Sequence, residues 1–277
     1  MKNRVLITGA SRGIGEAVAV FLEKRGFSVV GTSRNPRIMP ENGKKGSFPL
    51  IAMDVTESSS VKGGMKEALD ILGGIDIQIN NAGISHLGPF EEMPDEQGRK
   101  IIETNFFGVS NVIREVVPIM RGAGGGLIIN ISSLAGMVGI PFQSFYAASK
   151  YALEGWTESI RMELSSQKIS VALVEPGDIK TNIAEHHIVC ETNSPHYSDQ
   201  FRNACRVIRG NVDSAGPPED VAKVIYKVIK RHKRGKKPKI RYPAGKGAKI
   251  NAFLLKFVPD VFREIILMRY YDLQKKP

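Results

Sequence analysis

Apolar positions along this chain alternate between two spacings. Short unbroken runs, which suit buried strands, give way to repeats of three and four, which suit one face of a helix. Residues 4–8 form the first run, 11–15 a glycine-rich turn, and Ala17, Val18, Val20, Phe21 and Leu22 a helical face. Gly26 closes that helix, and 28–32 reads as a second strand. The same rhythm predicts strands at 49–53, 75–80, 127–131 and 169–174, with helices at 59–72, 94–120 and 145–167. Six strands separated by helices imply right-handed crossovers and a parallel sheet covered on both faces. The expected fold is an α/β doubly wound parallel sheet, with ligands gathered at the carboxyl ends of its strands. With 277 residues, 42% of them hydrophobic, the chain can bury one large core, so a single domain is expected.

Two segments break the rhythm. Residues 182–216 are polar and irregular, and they follow the sixth strand, as a substrate loop or lid would. Residues 218–277 hold 17 Lys and Arg against 5 Asp and Glu, a net +12, whereas 1–217 carries −1. The overall charge of +11 therefore sits in the tail. The organisation expected is a catalytic domain over 1–217 and a basic C-terminal extension over 218–277 packed on the same domain. In that extension the basic run Lys230-Arg231-His232-Lys233-Arg234-Gly235-Lys236-Lys237 precedes apolar stretches at 252–258 and 261–268. One reading is a solvated basic helix end and an apolar arm packed on the body or on a second subunit. A second is peripheral contact with anionic lipid. Nucleic-acid binding is not expected, because no recognised motif accompanies the charge.

Other features narrow the class. No segment is long and apolar enough to span a bilayer. Gly9 interrupts Val5-Leu6-Ile7 too soon for a secretory signal. Cys190 and Cys205 form no close-spaced metal motif and read as reduced thiols, so a cytoplasmic protein is expected, with the lipid reading placing it at a membrane surface. The five histidines form no ligand motif, His186-His187 reads as part of the lid, and no metal is expected.

The turn after the first strand carries the first chemistry. In Thr8-Gly9-Ala10-Ser11-Arg12-Gly13-Ile14-Gly15, Gly9 permits a sharp turn, Gly13 lets backbone approach a pyrophosphate, and Gly15 allows helix to pack closely on strand. The helix N-terminus then offers N–H donors and a positive dipole end to phosphate. The end of the second strand reads Gly31-Thr32-Ser33-Arg34 and lacks the carboxylate that would hold the ribose hydroxyls of NAD. Arg12 and Arg34 are instead placed to meet a 2′-phosphate, so NADP(H) is expected over NAD(H).

The long first interval, Gly9 to Gly13, resembles the classical branch of the short-chain dehydrogenase/reductase family. The resemblance extends from about Lys2 to Thr181 and implies a Rossmann-type fold. It implies further cofactor contacts: Asp54, with Val55 beside it, at the adenine; Asn81, Ala82 and Gly83 in the motif closing the fourth strand; and Pro176, Gly177 and Thr181 around the nicotinamide carboxamide. Ser11 and Ile14 belong to the phosphate turn.

A second constellation follows. Tyr146-Ala147-Ala148-Ser149-Lys150 puts a phenol and an ammonium one helical turn apart on one face. A nearby cation lowers a tyrosine pKa from about 10 and fits it for acid–base work. Ser132-Ser133 ends the fifth strand, and a serine hydroxyl there can donate to a substrate oxygen. The family's serine lies thirteen residues before its tyrosine, which selects Ser133. The resemblance also implies that Asn105 holds a water in the proton relay to Lys150, and that Tyr146 and Lys150 contact the nicotinamide ribose. The reaction implied is hydride transfer between a nicotinamide and a carbonyl or alcohol.

The substrate is less legible. Expected pocket walls are 135–142, 86–90 and 182–216, and Met137, Val138, Ile140, Phe142 and Phe145 suggest an apolar mouth. Residues 140–146 with Ala152-Leu153-Glu154-Gly155 resemble the hydroxysteroid and retinol dehydrogenase group, which implies a lipophilic ketone, aldehyde or alcohol. A 3-oxoacyl-thioester reductase is a second reading, since a basic tail suits an acidic carrier. A non-catalytic NADP(H) sensor is a third, disfavoured because Asn105, Ser133, Tyr146 and Lys150 are all present. By family analogy a homodimer or homotetramer is expected, through 151–164.

Overall fold

The computed structural model describes residues 3–36, 48–180, 188–192 and 194–273. Its strands β1 (Arg4–Ile7), β2 (Ser28–Ser33), β3 (Leu50–Ala52) and β4 (Ile77–Asn80) come first, with α1 (Gly13–Glu23) and α2 (Ser58–Leu72) between them. A short β5 (His86–Leu87) and α3 (Asp95–Ile102) follow, then α4 (Gly108–Gly122), β6 (Gly126–Ile131), α5 (Ser144–Glu163) and β7 (Ile169–Pro176). The chain continues through β8 (Ile188–Val189), α6 (Ser198–Ser214), α7 (Glu219–Lys233), β9 (Arg241–Ala244), α8 (Ala248–Phe257) and α9 (Asp260–Tyr270).

Among the described residues, seven strands form one sheet in the order β3-β2-β1-β4-β6-β7-β9. Every pairing is parallel. The period-2 geometry of a strand explains how one apolar run serves two layers. Val5 and Ile7 enter the core under α1 and α7, while Leu6 between them enters the core under α2, α4 and α5. Leu127 and Ile129 likewise face one side and Ile128 the other. The strand order reverses direction between β1 and β4, which opens a crevice at their carboxyl ends.

Three elements depart from the sequence expectation. The sheet has a seventh strand, β9, drawn from the basic tail. Its four residues, Arg-Tyr-Pro-Ala, contain a proline and have no apolar run, and an edge strand tolerates both. The expected helix over 94–120 is divided: a π-helical turn, Glu103–Phe107, separates α3 from α4. The segment expected to be irregular over 182–216 contains α6, which buries Phe201, Ala204 and Ile208 at helical spacing beneath a polar surface. Residues 181–187 and 193 lie outside the described residues, and His186-His187 with them.

The tail is woven into the molecule unevenly. Helix α7 buries Val221, Ala222, Ile225, Val228 and Ile229 in the α1-side core. In α8 only Ala248 and Ala252 are buried, and α9 has no buried residue. Among the described residues, no helix is long and apolar enough to cross a membrane.

Candidate active site

The carboxyl ends of β1 and β4 build a cradle around the glycine turn. Gly9 and Gly13 have φ of +65° and +60°, a region that a side chain makes costly. A Cβ on Gly9 would lie 2.8 Å from the Ala82 Cα, and one on Gly15 would lie 2.6 Å from the Asn81 amide nitrogen. The turn and the end of β4 are thus in van der Waals contact. Asn81 ties them together: its side-chain amide donates to the carbonyls of Thr8 (3.0 Å) and Gly9 (2.9 Å). The Thr8 hydroxyl accepts from the backbone N–H groups of Asn81 (3.0 Å) and Ala82 (3.1 Å). No side chain caps α1, whose N-cap is the exposed Arg12, so its first N–H groups are left to an anion. Arg34 is exposed just past the end of β2. Asp54 accepts from the N–H (3.0 Å) and hydroxyl (2.8 Å) of Thr56, and Val55 is buried beside it.

The ends of β6 and β7 and the start of α5 hold the candidate reactive groups. Ser133 caps a short 3₁₀ turn, Leu134–Gly136, its hydroxyl accepting from the Ala135 N–H at 3.1 Å. Its hydroxyl also lies near the Tyr146 phenol and draws the phenol's pKa down. Burial outweighs it and leaves Tyr146 above the usual tyrosine range, so the phenol is held protonated. The Lys150 ammonium lies 5.7 Å from the centre of the Tyr146 ring and donates to the Ile131 carbonyl at 2.9 Å. Burial depresses Lys150 to about 8, with Glu154 opposing the shift. Gly177 closes β7 on the same side, its N–H donating to the Ala244 carbonyl at 3.0 Å, and Pro176 is buried beside it. Thr181 lies outside the described residues.

Asn105 sits in the π turn and is fully buried. Its oxygen accepts from the Ile84 N–H (2.8 Å), and its nitrogen donates to the Ile84 carbonyl and the Ser149 hydroxyl (both 2.9 Å). The extra residue in the turn aims this side chain at α5, between Tyr146 and Lys150. π turns of this kind recur at functional sites. A phenol, a hydroxyl and a buried ammonium around one crevice can protonate and stabilise an oxyanion.

The short chain dehydrogenase family model matches residues 3–188. The chain belongs to that family. It is an oxidoreductase, which removes the sensor reading. This short-chain dehydrogenase is 35% identical to the 3-ketodihydrosphingosine reductase of Bacteroides thetaiotaomicron over 98% of each chain. A short-chain dehydrogenase structure from Streptomyces avermitilis superposes with a TM-score of 0.80 at 27% identity, covering all of both chains. ElxO with NADP bound has a TM-score of 0.66 at 29% identity, over 82% of this chain and 91% of that one. A nicotinamide cofactor fits the cradle described above: a left-handed glycine turn, an uncapped helix N-terminus and an exposed arginine at its lip.

Two features of this dehydrogenase were not read from the sequence. The first is a buried polar ladder in which Gln78 donates to Asn80 (2.9 Å), Asn80 to Asn130 (2.8 Å) and Asn130 to Thr157 (2.9 Å). It ties β4 and β6 to α5, and it accounts for a glutamine inside a buried strand. The second is a carboxylate pair behind Lys150. Glu154 and Glu175 are both buried, and Arg241 from β9 approaches them at 2.8 and 3.2 Å. Burial, then the neighbouring Glu154, lifts Glu175 to about 8, with Arg241 opposing. Each of these residues looks like an ordinary strand or helix position in the sequence. Only the register of β9 beside β7 brings Arg241 and Glu175 together.

Proposed function

We propose that this dehydrogenase uses NADP(H) to interconvert a carbonyl and an alcohol on a lipophilic substrate of steroid, retinoid or fatty type. The observation that carries the substrate class is an apolar cluster beside the site. It joins Leu87, Ile140, Phe142, Phe201, Ala204 and Ile208, drawn from all three expected pocket walls. The Bacteroides relative, named for a keto lipid, supports the same class. The absence of an acid at the end of β2, with Arg12 and Arg34 exposed nearby, supports the 2′-phosphate.

The cofactor supplies or accepts the hydride. In reduction, Tyr146 donates its proton to the carbonyl oxygen as that oxygen gains charge. Ser133, close to the Tyr146 phenol, donates to the same oxygen. Lys150, fixed by Ile131, stabilises the phenolate left behind and holds the nicotinamide ribose. Asn105 supports the start of α5 and positions a water for the relay to Lys150.

Oxidation of NADPH and of NADH, followed by absorbance, tests the reading against long-chain 3-keto lipids, steroid ketones, retinal and 3-oxoacyl thioesters. Turnover of a lipophilic ketone or aldehyde with NADPH preferred is expected. Tyr146→Phe should lower kcat by about 10²–10⁴-fold with cofactor affinity kept. Turnover confined to 3-oxoacyl thioesters would overturn the substrate assignment, and a preference for NADH the cofactor assignment.

A further inference from the structure

Helix α8 wears its amphipathic pattern inside out. Its large apolar residues Ile250, Phe253, Leu254 and Phe257 fall at i, i+3, i+4 and i+7, on one stripe, and are 49–66% exposed. The buried face carries the small Ala248 and Ala252. After Pro259 the same theme continues in α9, where Val261, Phe262, Ile265 and Ile266 are 40–67% exposed. A cleft of about 710 Å³ separates α9 from the start of α5. Sixteen large apolar residues are exposed among the described residues, and ten of them lie in these two helices. A concentration of that kind marks a surface with a partner.

Charge identifies the partner. Lys246, Lys249 and Lys256 are exposed, and α8 contains no acidic residue. Lys249 and Lys256 are seven positions apart, so they stand along one edge of the apolar stripe. In α9 the acids Asp260 and Glu264 offset Arg263 and Arg269, so the net charge of this face comes from the lysines of and before α8, and a second copy docked through α8 would oppose cation to cation. A surface that is anionic outside and apolar beneath satisfies both the lysines and the stripe.

We propose that α8, with α9 continuing it, is an interfacial element that docks this protein on an anionic lipid bilayer. Phe253 and Phe257 enter the acyl boundary while Lys249 and Lys256 extend their ammonium groups to the lipid phosphates. The buried side of α8 rests on the active-site floor: a Cβ built on Gly177 would lie 3.6 Å from that of Ala248. Docking therefore sets the catalytic crevice close to the membrane, where lipophilic substrates are concentrated. The inference concerns where the protein sits and does not depend on which substrate it turns over.

Co-sedimentation of the full chain with vesicles of phosphatidylcholine alone, or mixed with phosphatidylglycerol, tests it. Wild type should bind the mixed vesicles, release them at high salt, and leave phosphatidylcholine alone. A basic residue at an anionic surface contributes roughly fivefold in affinity, so Lys249→Glu with Lys256→Glu should weaken binding by roughly twenty-five-fold or more. Phe253→Ser with Phe257→Ser should abolish binding with an unchanged thermal midpoint, which shows that the fold is intact. Equal binding to both vesicle types, or binding to neither, overturns the proposal. So does sedimentation velocity in which wild type self-associates and the phenylalanine variant does not, since the face would then join two copies.

Discussion

Lys150 shows how one buried side chain sets a pH profile. Burial brings its pKa down to about 8 in the protein without cofactor. Below that pH it is a cation beside Tyr146, and above it the charge is lost. Reduction needs Tyr146 protonated and its incipient phenolate stabilised, so kcat/KM should hold steady below about 8 and fall as pH rises through it. A profile that stays flat well above that value would show that Lys150 keeps its charge and that burial does not govern it. Tyr146, Lys150 and Ser133 stand at a spacing along one helix and one strand end that is visible in the sequence, and the structure brings them around one crevice. The choice between Ser132 and Ser133 could not be made from physics alone. The structure sets the Ser133 hydroxyl near Tyr146 and buries Ser132 beside Glu154.

Among the elements, the π turn Glu103–Phe107 does the most with the least signal. A helical hydrophobic repeat predicts one helix through it, because a single extra residue shifts the apolar face too little to notice. Its effect lies in where Asn105 points. The side chain answers both the N–H and the carbonyl of Ile84. Asn105→Ala should leave those buried groups unmet and lower stability by about 2–4 kcal/mol, read as a shift of the denaturant midpoint. An unchanged midpoint would mean that the π turn is held by its neighbours alone. Helix α3, just before it, approaches α5 so closely that a Cβ on Gly98 would lie 2.7 Å from the Phe145 ring. A glycine that seems a defect in the helical pattern is a contact surface. Strands β1, β2, β4, β6 and β7 were legible because each is a central strand with an apolar run. The edge strand β3 was legible too, from the apolar residues around Leu50 and Ile51, whereas β9, Arg-Tyr-Pro-Ala, has no apolar run to announce it.

At the scale of the whole molecule, the basic tail is divided between three tasks. Helix α7 fills the core, β9 closes the sheet, and α8 and α9 face outward. The sum of charges that was visible in the sequence said nothing of this division. Arg241 is one point where the tail reaches the catalytic half, at Glu154 and Glu175. Glu175 has a folded pKa of about 8 against an ordinary 4.5. The native state thus keeps a proton that the unfolded chain releases, so stability falls as pH rises across that window and is lowest above about 8. Arg241 limits the loss. Arg241→Ala should cost about 3 kcal/mol, more at the alkaline end of that window than at the acid end, in thermal melts followed against pH. An equal cost at both ends would place the effect in the packing of β9 instead. The same contact has a consequence for how the chain matures. β9 is the last strand along the chain, so the edge it forms beside β7 is completed only after every other strand of the sheet has been made. During synthesis the glycine turn, Tyr146 and Lys150 emerge long before residue 241, and domains fold as the chain appears. Until β9 arrives, two carboxylates lie behind Lys150 without their arginine. A nascent chain would therefore carry the proposed reactive groups while its catalytic half still waited for the last strand to be made.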